Sequence, residues 1–144
     1  MNIIKKYYRI NKTERQIFRQ VFWYLFIAWW NTTFLPMRKY SLRLGVEHKE
    51  SQGEHLPDCE NYLLHLKTAI RRAARYAPFK SRCLQQACAG KIILKKKGIP
   101  STIYFGVARD GKNNLKAHAW LRAGDIYISG GRERLQYTVV SMFS

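Results

Sequence analysis

The chain has 144 residues, enough for one ordinary domain with a hydrophobic core. Apolar side chains make up 47% of the residues, and this share excludes an intrinsically disordered chain. The 26 basic residues outnumber the 9 acidic ones, and the formal charge of +17 attracts polyanions, anionic lipid or acidic polypeptides without choosing among them.

A basic amino terminus leads into an uninterrupted apolar run, Val21–Trp30. The run resembles a signal peptide, but no small-residue cleavage site follows it. Its ten residues are well short of the roughly 20 that a membrane-spanning helix needs. Thr13 and Gln16 form a capping-box pattern, and Pro36 prevents continuation, so a helix is predicted from Thr13 to about residue 33. We predict a core helix, with docking on a membrane surface or a partner as the alternative.

A polar stretch without periodicity, residues 45–57, predicts a loop or linker. It divides the chain into an amino-terminal helical lead-in with this linker (1–57) and a second domain (58–144). Asp58 is the expected cap of a second helix that ends before Pro78. The apolar positions of this helix recur every three or four residues on one face and are Leu63, Leu66, Ile70, Ala73 and Ala77.

The sequence contains start and stop signals for a third helix. Ser81 is the expected cap, which puts Cys83 at the second helical position. Lys95–Lys97 fall in the last turn, where the carbonyl dipoles favour cations, and Gly98 provides the left-handed stop.

After Pro100 the pattern changes from helices to strands. Alternating apolar residues predict a first strand over 103–107, and further strands are expected over 115–122, 126–129 and 135–143. The connections are short, so we predict an antiparallel meander. Helices followed by strands indicate an α+β fold, here amino-terminal helices followed by a four-stranded antiparallel sheet.

The three cysteines, Cys59, Cys83 and Cys88, have neither zinc-site spacing nor a pairing pattern. An odd number of cysteines makes a poor disulfide framework, so a reducing cytoplasm with free thiols is expected. No metal and no cofactor are expected.

Cys83 and His118 together carry the chemistry that the sequence indicates. A thiol at a helix start lies beside unpaired backbone N–H groups, which favour the thiolate. An imidazole nearby completes a cysteine nucleophile by taking and returning its proton. The ordinary alternative for Cys83 is a small buried hydrophobic residue.

His118 is flanked by alanines on its strand, which allows a helix to approach closely. A third group usually orients such an imidazole, and after His118 the only carboxylates are Asp125 and Glu133. Neither hairpin register puts a carboxylate opposite His118, so Asp125 is predicted by elimination. A backbone carbonyl, a water or Ser129 are the alternatives.

A combined motif links these residues to a known family. It consists of Pro78–Ala87 around Cys83, then Leu94 with 97–102, then 105–107, then Ala117–Trp120 around His118. With it, residues 72–143 resemble the lasso-peptide leader peptidases, the maturation proteases of transglutaminase-like, papain-like fold whose type member processes a microcin precursor. Many members carry an aspartate about a dozen residues past the histidine, where this chain has Gly130.

The resemblance implies a cysteine peptidase that removes the leader from a ribosomally made lasso-peptide precursor during antibiotic biosynthesis. It implies Cys83 as nucleophile and His118 as base. It also implies two partners: a separate leader-recognition protein, because no winged-helix module is recognised here, and an asparagine-synthetase-like cyclase that closes the ring.

The competing interpretation is a non-catalytic basic adaptor of the same fold, docked on a membrane surface or an acidic partner. The charge of +17 and the aromatic amino-terminal run favour it. Nucleic acid is not an expected partner, because the basic residues are scattered and no nucleic-acid module is recognised.

Overall fold

A computed structural model describes residues 3–144 of the protein. Helices come first in this part of the chain, and strands follow. The helices are α1 (Ile3–Tyr8), α2 (Lys12–Phe34), α3 (Met37–Tyr40), α4 (Glu60–Tyr76) and α5 (Cys83–Lys96). The strands are β1 (Thr102–Arg109), β2 (Leu115–Ala123), β3 (Ile126–Ser129) and β4 (Thr138–Phe143).

The four strands form one antiparallel sheet, which confirms the predicted α+β fold. The strand order is β3-β2-β1-β4, so only the first three strands form a meander. The predicted placement of the fourth strand was wrong, because β4 pairs with β1 on the far side of the sheet.

Two glycines, Gly130 and Gly106, allow the chain to pass from β3 to the far side of β1. Gly130 ends β3 with φ of +67°, a conformation that favours glycine, and turns the chain away from β2. The connection then passes through a 3₁₀ turn, Arg134–Gln136, and Tyr137 lies over Gly106 of β1. A Cβ at position 106 would stand 2.9 Å from the Tyr137 Cβ and 2.8 Å from the Trp120 ring, so only glycine leaves room there.

The predicted helices are present, but each begins at a different cap from the one expected. Asn11, rather than Thr13, caps α2 by accepting from the Thr13 N–H at 3.4 Å. Helix α4 begins after Cys59 without a side-chain cap, so Asp58 is not its cap. Helix α5 begins after Arg82, because the Ser81 hydroxyl donates to the Ala74 carbonyl at 2.9 Å instead.

Helix α2 is an integral layer of the core, packed against α4 and α5. Its buried face includes Ile17, Val21, Leu25 and Ala28. These side chains join the apolar residues of α4, α5 and the sheet in one cluster. The boundary at residue 57 stays a prediction. No helix within residues 3–144 combines the length and the hydropathy needed to cross a membrane.

Helix α5 packs directly on the sheet through Gly90. A Cβ at this position would stand 2.5 Å from Leu121 Cδ2 and 3.7 Å from Ile128 Cγ2, so the Leu121 side chain occupies the space that a side chain at position 90 would need. One residue on, the Lys91 ammonium donates to the Ser101 carbonyl at 2.5 Å. Because Ser101 immediately precedes β1, the second half of α5 lies over the end where β1 begins and β2 ends. The first turn of α5 therefore points toward the other end of β2.

Arg122 fastens the linker to the sheet. Its buried guanidinium donates to the Ser51 carbonyl at 2.9 Å and to the Gly124 carbonyl at 2.5 Å. It also donates to the Tyr104 hydroxyl, at 2.9 Å from Nη2, and pairs with the Glu50 carboxylate at 3.2 Å. The linker and the β2–β3 hairpin are thus held by a buried, fully bonded cation.

Replacing Gly90 with valine should force α5 away from β2. We expect Gly90→Val to lower the free energy of unfolding by about 1–3 kcal/mol, the usual cost of overpacking, measured by urea denaturation. Gly111→Val is the matched control, because nothing lies within 4 Å of a Cβ there, and it should change stability by less than about 0.5 kcal/mol. Equal stability of the two variants would contradict the close packing.

Candidate active site

Cys83 is the first residue of α5, one position nearer the tip than predicted. Gln86 is the first residue whose N–H bonds back into the helix, to the Arg82 carbonyl at 3.0 Å. The N–H groups of residues 83–85 therefore lack backbone acceptors within the helix. Arg82 cannot cap them, because a guanidinium only donates. The sulfur thus belongs to a residue at an open, electropositive helix end.

A chain of side-chain bonds fixes this helix tip. The Gln85 Oε1 atom accepts from the Arg82 N–H at 3.0 Å. The Gln85 amide donates to the Thr32 hydroxyl at 2.9 Å, and Thr32 donates to the Ala28 carbonyl at 2.8 Å. Gln85 is buried, so its bond to Thr32 ties the start of α5 to the last turn of α2. This role of Gln85 was not predicted; its signal in the sequence is a glutamine three residues after the cap position.

The three thiols occupy different environments. Cys83 and Cys59 are half-buried, whereas Cys88 is buried in the core. Burial, and then the nearby Cys83, raise the pKa of Cys88 to about 12. Cys88 is therefore protonated at physiological pH, and its thiol is inert.

His118 stands on β2 with a defined hydrogen bond. Its Nε2 atom lies 2.8 Å from the Gly130 carbonyl, and because a carbonyl only accepts, Nε2 carries the proton. The neutral ring then has its free lone pair on Nδ1. The ring is stacked against Tyr137, with centroids 4.9 Å apart, and against Trp120, at 5.7 Å. Only 11% of the His118 side chain is exposed.

The structure does not bring Asp125 to His118. The Asp125 carboxylate lies at the tip of the β2–β3 hairpin, where both its oxygens are 3.2 Å from His55 Nδ1. The Gly130 carbonyl is the group that orients His118, one of the alternatives left open above. A half-exposed carboxylate, Glu133, lies 3.9 Å from His118 Nε2, too far for a hydrogen bond, and is the nearest acidic group to the ring in the described residues.

Ser129 does not orient the imidazole either. Its backbone is opposite Leu121 rather than His118, because the β2–β3 ladder shifts register between Leu121 and Arg122. Its hydroxyl is buried without a hydrogen-bond partner among the described residues. The hairpin turns at Gly124–Asp125, since Ala123 pairs with Ile126.

Cys83 and His118 are similarly spaced from the contact between Gly90 and Leu121. Cys83 is seven residues before Gly90 and so on the same face of α5, roughly 10 Å along the helix axis. His118 is three residues before Leu121, which Gly90 contacts, and this is also roughly 10 Å along the strand. The first turn of α5 points toward that end of β2, so we infer that the two residues share one end of the sheet.

The side chain of His118 points away from the helices. Ala119 and Leu121 face the helices, so alternation directs His118 and Trp120 to the opposite face of β2. No hydrogen bond within residues 3–144 joins His118 to Cys83; the ring bonds Gly130 instead. The β2–β3 ladder covers only Leu121–Ala123, so β2 has no strand neighbour on this side at His118. A direct contact of thiol and imidazole stays a prediction.

The other histidines pair with carboxylates away from this place. His55 Nε2 lies 3.5 Å from Glu60, and His65 Nδ1 lies 3.4 Å from Glu14. Across residues 3–144, no group of three or more histidine, cysteine or acidic side chains is arranged to hold a metal ion.

Comparison with known proteins identifies the family. The family model described as "Transglutaminase-like superfamily" matches residues 31–142, most of the chain. No curated protein and no solved structure shows significant similarity to it. The chain belongs to the transglutaminase-like superfamily, which includes cysteine peptidases.

Gly130 should be essential to the position of His118. A Cβ there would stand 2.5 Å from the Ala119 carbonyl and 3.0 Å from His118 Nε2. We expect Gly130→Ala to cost about 1–2 kcal/mol for its positive φ and at least about 1 kcal/mol more for the contact, measured by chemical denaturation.

Gly98→Ala is the matched control for this prediction. Gly98 has nearly the same φ, +69°, but nothing lies within 4 Å of a Cβ there, so it incurs only the backbone cost. If Gly98→Ala destabilises the protein as much as Gly130→Ala, the close contact of residue 130 with His118 is not significant.

Proposed function

We propose that the protein is a cysteine peptidase that removes the leader from a ribosomally synthesised lasso-peptide precursor, with Cys83 as nucleophile and His118 as general base and acid. One observation carries the catalytic part of the proposal. A half-buried thiol occupies the first position of a helix whose terminal N–H groups lack helical acceptors, in a member of a superfamily that includes cysteine peptidases.

In the first half-reaction, His118 Nδ1 takes the proton of the Cys83 thiol, and the sulfur forms a bond to the scissile carbonyl carbon. The carbonyl oxygen becomes an oxyanion, which the N–H groups at the tip of α5 are oriented to receive. His118 then gives its proton to the leaving amine as the C–N bond breaks. The core peptide departs with the new amino group, and the leader remains as a thioester on Cys83.

In the second half-reaction, a water adds to the thioester carbonyl while His118 Nδ1 takes one of its protons. The C–S bond breaks, a carboxylic acid is released, and the proton returns to Cys83. The hydrogen bond from Nε2 to the Gly130 carbonyl keeps the ring in the tautomer that leaves Nδ1 free. Because the His118 ring faces away from the helices, the thiol has to reach it past the edge of β2, where β3 does not pair beside His118. We expect the two groups to meet there in the substrate complex.

The substrate part of the proposal rests on the motif around Cys83 and His118 that resembles the lasso-peptide leader peptidases. In that setting a separate recognition protein binds the leader, and an asparagine-synthetase-like cyclase receives the core peptide. The described elements before α4 are helices, whereas a winged-helix leader reader on the same chain would need strands there.

Leader release should depend on Cys83 and His118 and not on Asp125. With the precursor peptide and its recognition protein, we expect Cys83→Ala and His118→Ala each to lose at least about 10³-fold in cleavage rate, followed by mass spectrometry. The cleavage rate of Asp125→Asn should stay within about threefold of wild type, because the Asp125 carboxylate contacts His55 and not His118. Glu133→Gln should lose less than about tenfold, because the Gly130 carbonyl remains.

Cys59→Ala is the matched control, since Cys59 is another half-buried thiol and its loss should leave cleavage unchanged. Circular dichroism and thermal melting should show that each variant is folded. Cleavage by Cys83→Ala at the wild-type rate would overturn the peptidase, and a large loss in Asp125→Asn would restore Asp125 as the orienting group.

A further inference from the structure

Helix α2 exposes an aromatic stripe along its outer face. The residues are spaced three, four and four apart, which places them on one side of the helix. They are half or more exposed except at Phe26: Trp23 59%, Phe26 36%, Trp30 51% and Phe34 57%. The rings also contact one another, with Trp30 and Phe34 centroids 4.5 Å apart and Trp23 and Phe26 centroids 6.0 Å apart. Four neighbouring aromatic rings on a water-facing surface indicate an interaction site.

Exposed cations lie at both ends of this stripe. Lys12 and Arg19 continue the same helical face toward the amino terminus, and Arg38 and Lys39 follow α2 at its other end. Residues 1–46 contain nine basic side chains and one acidic one, Glu14. Glu14 pairs with His65 of α4 at 3.4 Å. Basic side chains therefore flank the aromatic stripe.

The stripe adjoins the candidate active site. The Phe79 ring packs against Phe26 and Trp29 of α2, with centroids 5.7 Å away in both cases. Phe79 is four residues before Cys83, and the exposed Lys80 stands between them. Whatever covers the stripe is thus close to the segment that leads into the thiol.

The positive charge of the protein decides which kind of molecule can bind the aromatic stripe. A second copy of the chain would bring two molecules of charge +17 together across their basic faces, which opposes association. An anionic bilayer attracts the same face, and its interfacial region accommodates tryptophan and phenylalanine rings between headgroups and acyl chains. Aromatic rings with flanking lysine and arginine are the combination that in-plane membrane helices use.

We propose that α2 docks on the surface of an anionic lipid bilayer, with the rings of Trp23, Phe26, Trp30 and Phe34 in the interfacial region. Lys12, Arg19, Arg38 and Lys39 contact the lipid phosphates. The helix lies in the plane of the membrane, its opposite face packed in the protein core. The docked protein holds the tip of α5 near the bilayer. On the basis of the peptidase function proposed above, its substrate is then met at the membrane surface.

Flotation of the full chain with lipid vesicles tests this proposal. Vesicles of phosphatidylglycerol and phosphatidylcholine should carry the wild-type protein upward, and pure phosphatidylcholine vesicles should carry at least about tenfold less. The triple variant Trp23→Ser, Trp30→Ser and Phe34→Ser should lose at least about tenfold in binding to the anionic vesicles. The matched control removes three exposed apolar side chains on the sheet side, Leu115→Ser, Leu135→Ser and Val140→Ser, and should bind like wild type.

A charge-matched pair separates docking at the stripe from general attraction. Arg19→Gln, Arg38→Gln and Lys39→Gln should weaken flotation more than Arg71→Gln, Arg72→Gln and Arg75→Gln, which remove three exposed cations of α4. Equal losses in the two charge variants, or full binding by the aromatic triple variant, would overturn the proposal. So would a stripe-dependent complex with polyglutamate in place of vesicles, or a stable dimer in solution.

Two further measurements keep the result interpretable. Quenching of wild-type tryptophan fluorescence by brominated anionic lipid is expected, and its absence would overturn the proposal even if the aromatic variant fails to fold. Cys83→Ala should float like wild type, so a failure of the peptidase proposal leaves the docking result intact.

Discussion

The close packing of α5 on β2 is the constraint on which the rest of the site depends. The Leu121 side chain lies directly against Gly90, so this contact sets the register of α5 along the sheet. Cys83 lies two helical turns before the contact on α5, and His118 lies about the same distance from it along β2. The buried bond from Gln85 to Thr32 then fixes the tip of the same helix against α2. Packing in the core thereby determines where the thiol stands.

A glycine carbonyl orients the imidazole in place of a carboxylate. The Gly130 oxygen fixes the tautomer of His118 as a carboxylate would, but it carries only a partial charge and stabilises the imidazolium less. Glu133 provides a full charge 3.9 Å away, at a half-exposed position where water screens it. The carbonyl therefore holds the geometry of the ring through its hydrogen bond, and the carboxylate adds only a weak field.

Periodicity predicted the helices and most strands because the buried apolar residues of α4 recur every three or four positions, and the apolar residues of β1 recur at every second position in the sequence. It could not predict the caps, since the Ser81 hydroxyl prefers the distant Ala74 carbonyl. The position of β4 depends on the space above Gly106, which only the folded sheet reveals. Elimination among carboxylates led to Asp125 because the sequence does not reveal that this carboxylate contacts His55. A backbone carbonyl was an open alternative, but which carbonyl reaches His118 is determined only by the folded turn at Gly130.

The pairing of Cys83 with His118 is tested most directly by a crystal structure of the protein after reaction with a peptide aldehyde that ends at the cleavage position. We predict a hemithioacetal on Cys83 whose oxygen faces the N–H groups of residues 83–85. We also predict that His118 Nδ1 lies within about 3.5 Å of the former thiol sulfur or the adduct oxygen, while Nε2 still donates its hydrogen bond to the Gly130 carbonyl. An adduct that His118 does not approach, or reaction only at another cysteine, would contradict it.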